Sequence, residues 1–185
     1  MLIAMPSLRE APFARAVVYM CAHREDGAMG IIINQPAEEI NFPKLLVQLD
    51  IVGKSEAIRL PRAVEQIQVL RGGPVDWGRG FVLHSSDYDA GESTVRIDEA
   101  VSLTATLDVL RAIAKGTGPR RAALALGCAG WASGQLESEI LANAWLVGAV
   151  DPSLIFDTNF ASKYDRALAA LGVNVSALSA EAGHA

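Results

Sequence analysis

The chain has 185 residues, 51% hydrophobic and 20% charged, with 16 Lys and Arg against 21 Asp and Glu for a formal charge of −5. That apolar fraction suffices for one packed core and excludes a disordered chain, while the lack of an uninterrupted apolar run of about 18 residues excludes a transmembrane helix. An acidic pI near 5.2 counts against a general nucleic-acid binder, whose affinity comes from clustered Lys and Arg.

From the N-terminus, Met1 to Met5 is an apolar stretch too short for the core of a signal peptide, and Pro6, Arg9 and Pro12 follow it. Arg15 to Cys21 and Met29 to Asn34 are short β-branched runs on either side of the charged turn His23 to Gly27, which predicts a hairpin of two buried strands. Phe42, Leu45, Leu46 and Leu49 keep a helical spacing, with Asn41 placed to cap and Pro43 in the first turn, where its missing N–H costs little. Residues 50–65 are mixed and charged and suggest no second domain.

Three strands follow in prospect, Ile67 to Leu70, Gly80 to His84 and Thr94 to Ile97, separated by Gly72-Gly73-Pro74 and Asp87 to Gly91, and they read as an antiparallel meander. Val101 to Thr104 alternates like a strand, then Leu107, Leu110 and Ala114 take up a helical period that Gly116 and Gly118-Pro119 stop. Ala122 to Leu126 reads as a buried strand, Gly127 to Ser133 as a Gly-rich loop, and the next stretch as a helix capped by Ser133 and ended by Gly148. Thr158 is placed to cap a last helix carrying Phe160, Tyr164, Leu168 and Leu171 on one face, and about 173–185 is expected to fray. Strands interleaved with three to four helices, without a βαβ rhythm, predict a single α+β domain over 1–185 on a mixed, largely antiparallel sheet.

The chemistry-bearing groups are scattered. Cys21 and Cys128 have no short-spaced partner, so neither a disulfide framework nor a Cys-x-x-Cys motif is available, and a reducing, cytoplasmic setting is expected. His23, His84 and His184 lack metal-ligand spacing, and no metal or other cofactor is expected. The stretch Gly127 to Gly134 before a helix could hold an anion, but no phosphate lysine follows, and Glu137 and Glu139 compete for the helix dipole. Cys128 matches only half of a nucleophile elbow, since position 126 is Leu. His84, Ser85 and Asp87 combine acid–base, hydroxyl and carboxylate groups at a strand end, and the same residues also make an ordinary capped turn. Arg71-Gly72-Gly73-Pro74 could bring backbone close to an anionic ligand or a partner chain, or serve as a tight connection. Arg111, Lys115, Arg120 and Arg121 form the one basic cluster.

Taken in order, these segments resemble the AlgH/YqgE family of small bacterial proteins: Leu2-Ile3-Ala4-Met5-Pro6, Phe13 to Cys21, Gly27 to Gly30 with Asn34-Gln35-Pro36, Gly72 to Val75, Arg79 to His84, Gly130-Trp131 with Gly134 to Glu137, Asn143 to Leu146, and Phe156-Asp157-Thr158. The resemblance implies a bifurcated sheet curled toward a barrel, a cytosolic location and no established enzymatic activity. Some members bear the name of transcriptional regulators, which the charge of −5 does not support as direct DNA binding. At position 128 the family pattern is more often Tyr, so a shared thiol nucleophile is not expected there. The candidate cleft comprises Arg71, Gly72, Gly73, His84, Gly130, Trp131, Gly134 and Gln135, and its expected occupant is a small anionic ligand or a partner segment. The alternative is a hydrolase or transferase using His84 with Ser85, Asp87 or Glu137.

Overall fold

In the computed structural model, which describes residues 1–149 and 151–173, the elements in order are β1 (Leu2–Ala4), β2 (Val17–Arg24), β3 (Gly27–Ile32), α1 (Phe42–Gln48), α2 (Lys54–Ala57), α3 (Arg62–Glu65), β4 (Gln68–Arg71), β5 (Val75–Ser85), β6 (Thr94–Arg96), β7 (Val101–Thr104), α4 (Leu107–Ala114), β8 (Ala122–Ala132), α5 (Gln135–Leu141), β9 (Trp145–Val147), α6 (Ser153–Phe156) and α7 (Phe160–Ala170). The strands form one curled sheet, a half-barrel in the order β6-β7-β5-β8-β3-β2-β1-β9, with β4 beside β8. The α+β class is as expected. The described residues hold seven helices, of which four have seven residues or more and three are single turns. Apart from Val173, the segment expected to fray lies outside the described residues.

β8 joins two half-sheets. Its first half pairs antiparallel with β5 and parallel with β4, and its second half pairs antiparallel with β3. The expected loop from Gly127 is therefore strand. Gly127 has φ +73° and acts as a bulge, and the alternation of side chains slips there by one residue. Before it, Ala123 and Ala125 face the central core; after it, Cys128 does, while Ala129 and Trp131 turn to the outer face. The expected meander is corrected as well. β4 runs parallel to β8, and the antiparallel ribbon is instead β5-β7-β6.

Three apolar layers follow from this bend. The central core packs β1 to β5, β7 and β8 against α6 and α7 through Ile31, Leu83, Ile155 and Leu168. α5 covers the outer face of one half-sheet with Leu136, and α1, α3 and α4 cover the other with Leu46, Val64 and Leu110. Helix starts obey local chemistry: the Asn41 side chain accepts the Lys44 N–H at 3.1 Å, and that of Asn159, not Thr158, accepts the Ser162 N–H at 3.3 Å. α5 starts from Gly134 at φ +71° rather than from a Ser133 cap, and it stops early enough for Trp145 to begin β9.

α7 inserts a charge into the core. Lys163 is fully buried, and its Nζ donates to the carbonyls of Ile33 at 2.8 Å and Ile155 at 3.1 Å. These bonds tie α7 to α6 and to the end of β3. Burial lowers the Lys163 pKa to about 8, against which Asp157 works.

Two predictions follow. A Cβ at Gly73 would lie 2.3 Å from the Cys128 carbonyl carbon, whereas one at Gly91 would meet nothing within 4 Å. In urea denaturation, Gly73→Ala should cost at least about 2 kcal/mol, and Gly91→Ala only the left-handed strain of about 1 kcal/mol. For Lys163, the folded state releases its proton near pH 8 and the unfolded chain near 10.5. The unfolded state thus binds more protons in between, so stability relative to Lys163→Met should be flat below that window and rise through it, by up to about 1 kcal/mol per pH unit.

Candidate functional site

Gly72 and Gly73 lie against the bend of β8. A Cβ at Gly72 would sit 2.2 Å from the Gly127 carbonyl oxygen, the Gly72 N–H donates to the Leu126 carbonyl at 2.9 Å, and the Gly72 carbonyl accepts from Ile32 at 2.8 Å. Two of the expected Gly-rich segments therefore meet, but backbone to backbone, with no cleft between them. The recess opens on the other side of this contact. It has a volume of about 500 Å³ and is lined by Arg71, Gly73 and Trp77 with Gln35, Pro12 and Ala14.

The walls are mostly apolar, with polar groups at one edge. Trp77 is 58% exposed, and its indole N–H donates to the Pro74 carbonyl at 2.8 Å, which fixes the ring beside the recess. Gln35 donates to the Pro12 carbonyl and accepts the Arg71 N–H on its own carbonyl at 2.9 Å. The Arg71 guanidinium pairs with Glu39 at 2.7 Å. Its own N–H and the Arg71 guanidinium hold the Glu39 carboxyl below the usual range. Trp77, Gln35, Pro12 and Ala14 were not among the sequence candidates. An indole in a Gly-rich stretch with no helical or alternating partner was the available signal for Trp77.

The remaining candidates lie elsewhere. His84 pairs with Ala122 at the start of β8, whereas Gly73 abuts Cys128, about 20 Å further along the strand at its usual rise. His84 is fully buried. Its Nε2 accepts from the Thr104 hydroxyl at 2.9 Å, Thr104 accepts from Thr94 at 2.8 Å, and Thr94 accepts the Ala90 N–H at 2.9 Å. Its Nδ1–H donates to the Ser85 carbonyl at 2.9 Å. This chain is satisfied with a neutral imidazole, and burial lowers the His84 pKa, opposed by the Ser85 carbonyl, Asp87 and Asp89.

The alternative catalytic set is not brought together. The Ser85 hydroxyl donates to Asp87, which also accepts the Arg120 N–H at 3.2 Å, so these groups close a turn. Glu137 pairs with His23 and pins the β2–β3 turn to α5. Burial raises the thiol pKa of both cysteines, Cys21 to about 12, which is the reverse of nucleophile activation.

Beyond the bend, Gly130 is exposed, while Trp131 is buried on Phe13 and Trp145 with ring centroids 6.4 and 5.8 Å away. Glu139 accepts both indole N–H groups, Trp131 at 2.9 Å and Trp145 at 2.8 Å, and the Gln135 amide at 2.9 Å. Burial would raise its pKa, but these three donors hold it below the usual range. Gln135 also accepts the Ala132 N–H at 3.0 Å. Trp131, Gly134 and Gln135 thus assemble the α5 attachment rather than the recess. The described residues hold no group of three or more His, Cys, Asp and Glu arranged for a metal, and no helix long and apolar enough to cross a membrane.

A curled, split half-barrel whose described residues assemble no catalytic set defines a small α+β protein. The family model described as AlgH-like matches residues 1–176, and the chain belongs to that family. A UPF0301 protein of Beijerinckia indica is 60% identical over the whole chain and 90% of its own length, and one of Methylocella silvestris is 57% identical over the same shares. The solution structure of the AlgH protein from Pseudomonas aeruginosa is 43% identical and superposes with a TM-score of 0.77, covering all of this chain and 93% of that one. A crystal structure from Corynebacterium diphtheriae, at 21% identity and a TM-score of 0.62 over 82% of this chain and 75% of its own, shares the fold.

The Glu139 arrangement is testable. Glu139→Leu leaves two buried indole N–H groups without acceptors and should cost about 2–4 kcal/mol, whereas Glu139→Gln keeps one carbonyl acceptor and should cost less. Equilibrium unfolding followed by tryptophan emission measures both.

Proposed function

We propose that this protein is a binding module that receives a segment of a partner protein in the recess beside Trp77. The exposed indole carries the reading. Of the three tryptophans, Trp131 and Trp145 are 6% and 3% exposed, so Trp77 alone presents a large apolar face to solvent, and it does so at the rim of a concavity. Aromatic side chains in that position dominate binding energy in protein interfaces.

The choice between a small anion and a partner segment turns on Arg71. Its guanidinium already holds Glu39, so a free anion gains little there unless it displaces that carboxylate. A segment needs no charge there: an apolar or proline side chain against Trp77 uses the apolar wall that a small anion leaves unused. A regulatory role would then act through a protein partner, in keeping with the net charge of −5. The enzyme reading has no comparable support, since His84, Ser85, Asp87 and Glu137 are committed to separate structural contacts.

Selection of random peptides on the folded protein tests this. Binders should share an apolar or proline residue, quench or blue-shift Trp77 emission, and lose about 30-fold or more in affinity on Trp77→Ala with thermal stability unchanged. Peptides that bind Trp77→Ala as well as wild type, or inorganic phosphate protecting Trp77 from acrylamide quenching where peptides do not, would overturn it.

A further inference from the structure

The basic cluster does not stay together. Arg120 lies 3.7 Å from Asp87, and the Arg121 guanidinium stacks 5.1 Å from the Phe156 ring centroid. Arg111 on α4 and Lys115 at its C-cap, one helical turn apart, instead line a separate recess of about 570 Å³. Arg59, just after α2, lines it from another segment. The carbonyl end of α4 favours cations at 111 and 115 by itself. It gives no account of a third cation arriving from another segment.

Two carboxylates bear on it: Glu56, which lines the recess, and Asp108, the partner of Arg111. Asp108 holds Arg111 at 2.8 Å, and Glu56 accepts the Gly53 N–H at 2.8 Å as part of the α2 cap. Among the described residues neither Arg59 nor Lys115 forms an ion pair. The recess therefore holds two uncommitted cations, and its local balance of three cations against two acids is positive in a chain of charge −5. Its remaining lining is Glu56 and the aliphatic Ile51, Val52, Leu60 and Ala114.

We infer that the recess between α2 and α4 binds a small organic phosphate, with Arg59 and Lys115 holding the phosphate and the aliphatic wall holding the organic body. A phosphomonoester carries a charge of about −1.5 to −2 at neutral pH. Here it meets Arg59 and Lys115, two cations without an ion pair among the described residues, against one lining carboxylate, Glu56. A guanidinium offers two parallel N–H donors to phosphate oxygens, and an ammonium adds a compact charge beside it. The concave shape admits one such group, whereas a polynucleotide backbone asks for a row of cations on a ridge. This site shares no residue with the recess at Trp77.

The full chain, isotopically labelled, is titrated with phenyl phosphate at low salt, about 50 mM, and followed by amide NMR, with benzyl alcohol and inorganic phosphate as comparators. Saturable shifts should centre on Ile51 to Leu60 and Arg111 to Lys115. Phenyl phosphate should bind more tightly than inorganic phosphate, and benzyl alcohol should produce no saturable shift. Arg59→Gln and Lys115→Gln, both at exposed positions, should each weaken binding several-fold and together at least about tenfold. Trp77→Ala should leave the titration unchanged, which separates this site from the partner-segment reading. No saturable shift at about 20 mM ligand, equal binding by the double variant, shifts centred on Arg120 and Arg121, or a duplex oligonucleotide outcompeting phenyl phosphate at these residues would each overturn the proposal.

Discussion

Where β8 bends, the Gly72–Gly73 backbone comes so close to residues 127–129 that a single added Cβ would collide with a carbonyl at 2.2 to 2.4 Å. That contact fixes two things at once. It sets the angle between the half-sheets, because the slip of side-chain alternation at Gly127 turns Trp131 outward while Cys128 stays inward. It also sends the chain after Gly73 away from the sheet: from Val75 to Arg79, β5 is exposed, and only Val75 pairs with β8 before Gly80 resumes the ladder. The exposed indole of Trp77 and the recess beside it are consequences of the same backbone packing.

Much of the fold was legible because it is local. The β2–β3 hairpin, the Asn41 cap, the passage from β7 into α4 and the apolar face of α7 all follow from periodicity and side chains within a few residues. The errors share one cause. Gly127-Cys128-Ala129-Gly130 reads as a loop because glycine usually interrupts strands, yet here one glycine makes a bulge and the strand continues because β3 is waiting to pair with it. β4 reads as the start of a meander because neighbours in sequence usually pair. Its partner is instead β8, more than fifty residues later. Reading one helix from Ser133 to Gly148 concealed β9, whose Trp145 is held by Glu139 and by pairing with Ala4.

The candidate site divides along the same line. Arg71 and Gly73 were accessible because a Gly-Gly pair beside an arginine has few local explanations, and both line the recess. Pro12, Gln35 and Trp77 complete it from segments that no local pattern connects. His84, Trp131 and Gln135 carried the right chemistry for a site and proved committed. A buried imidazole, two indole N–H groups and an amide each require partners, and Thr104 and Glu139 provide them. Among the described residues no fully buried side-chain nitrogen or oxygen lacks a hydrogen bond. Even Lys163 is satisfied, by carbonyls that the ends of β3 and α6 leave free.

With the buried polar groups all engaged, binding capacity has to come from groups at the surface, and the charges there sort by neighbour rather than by sequence. Arg71, Arg15 and Arg166 each hold an acid from another segment, and Arg121 rests on an aromatic face. Such pairs contribute little to stability when exposed, but they do remove cations from the pool available to a ligand. Among the described residues Arg59 and Lys115 form no ion pair: Asp108 pairs with Arg111 on α4, and Glu56 accepts the Gly53 N–H at the N-cap of α2. The four cations from Arg111 to Arg121 thus resolve into one pair at the β8 entrance, Arg120 beside Asp87 and Arg121 on Phe156, and another pair that lines a recess with Arg59. It is the turn at Gly116 to Pro119 that separates them, by ending α4 before Arg120 is reached.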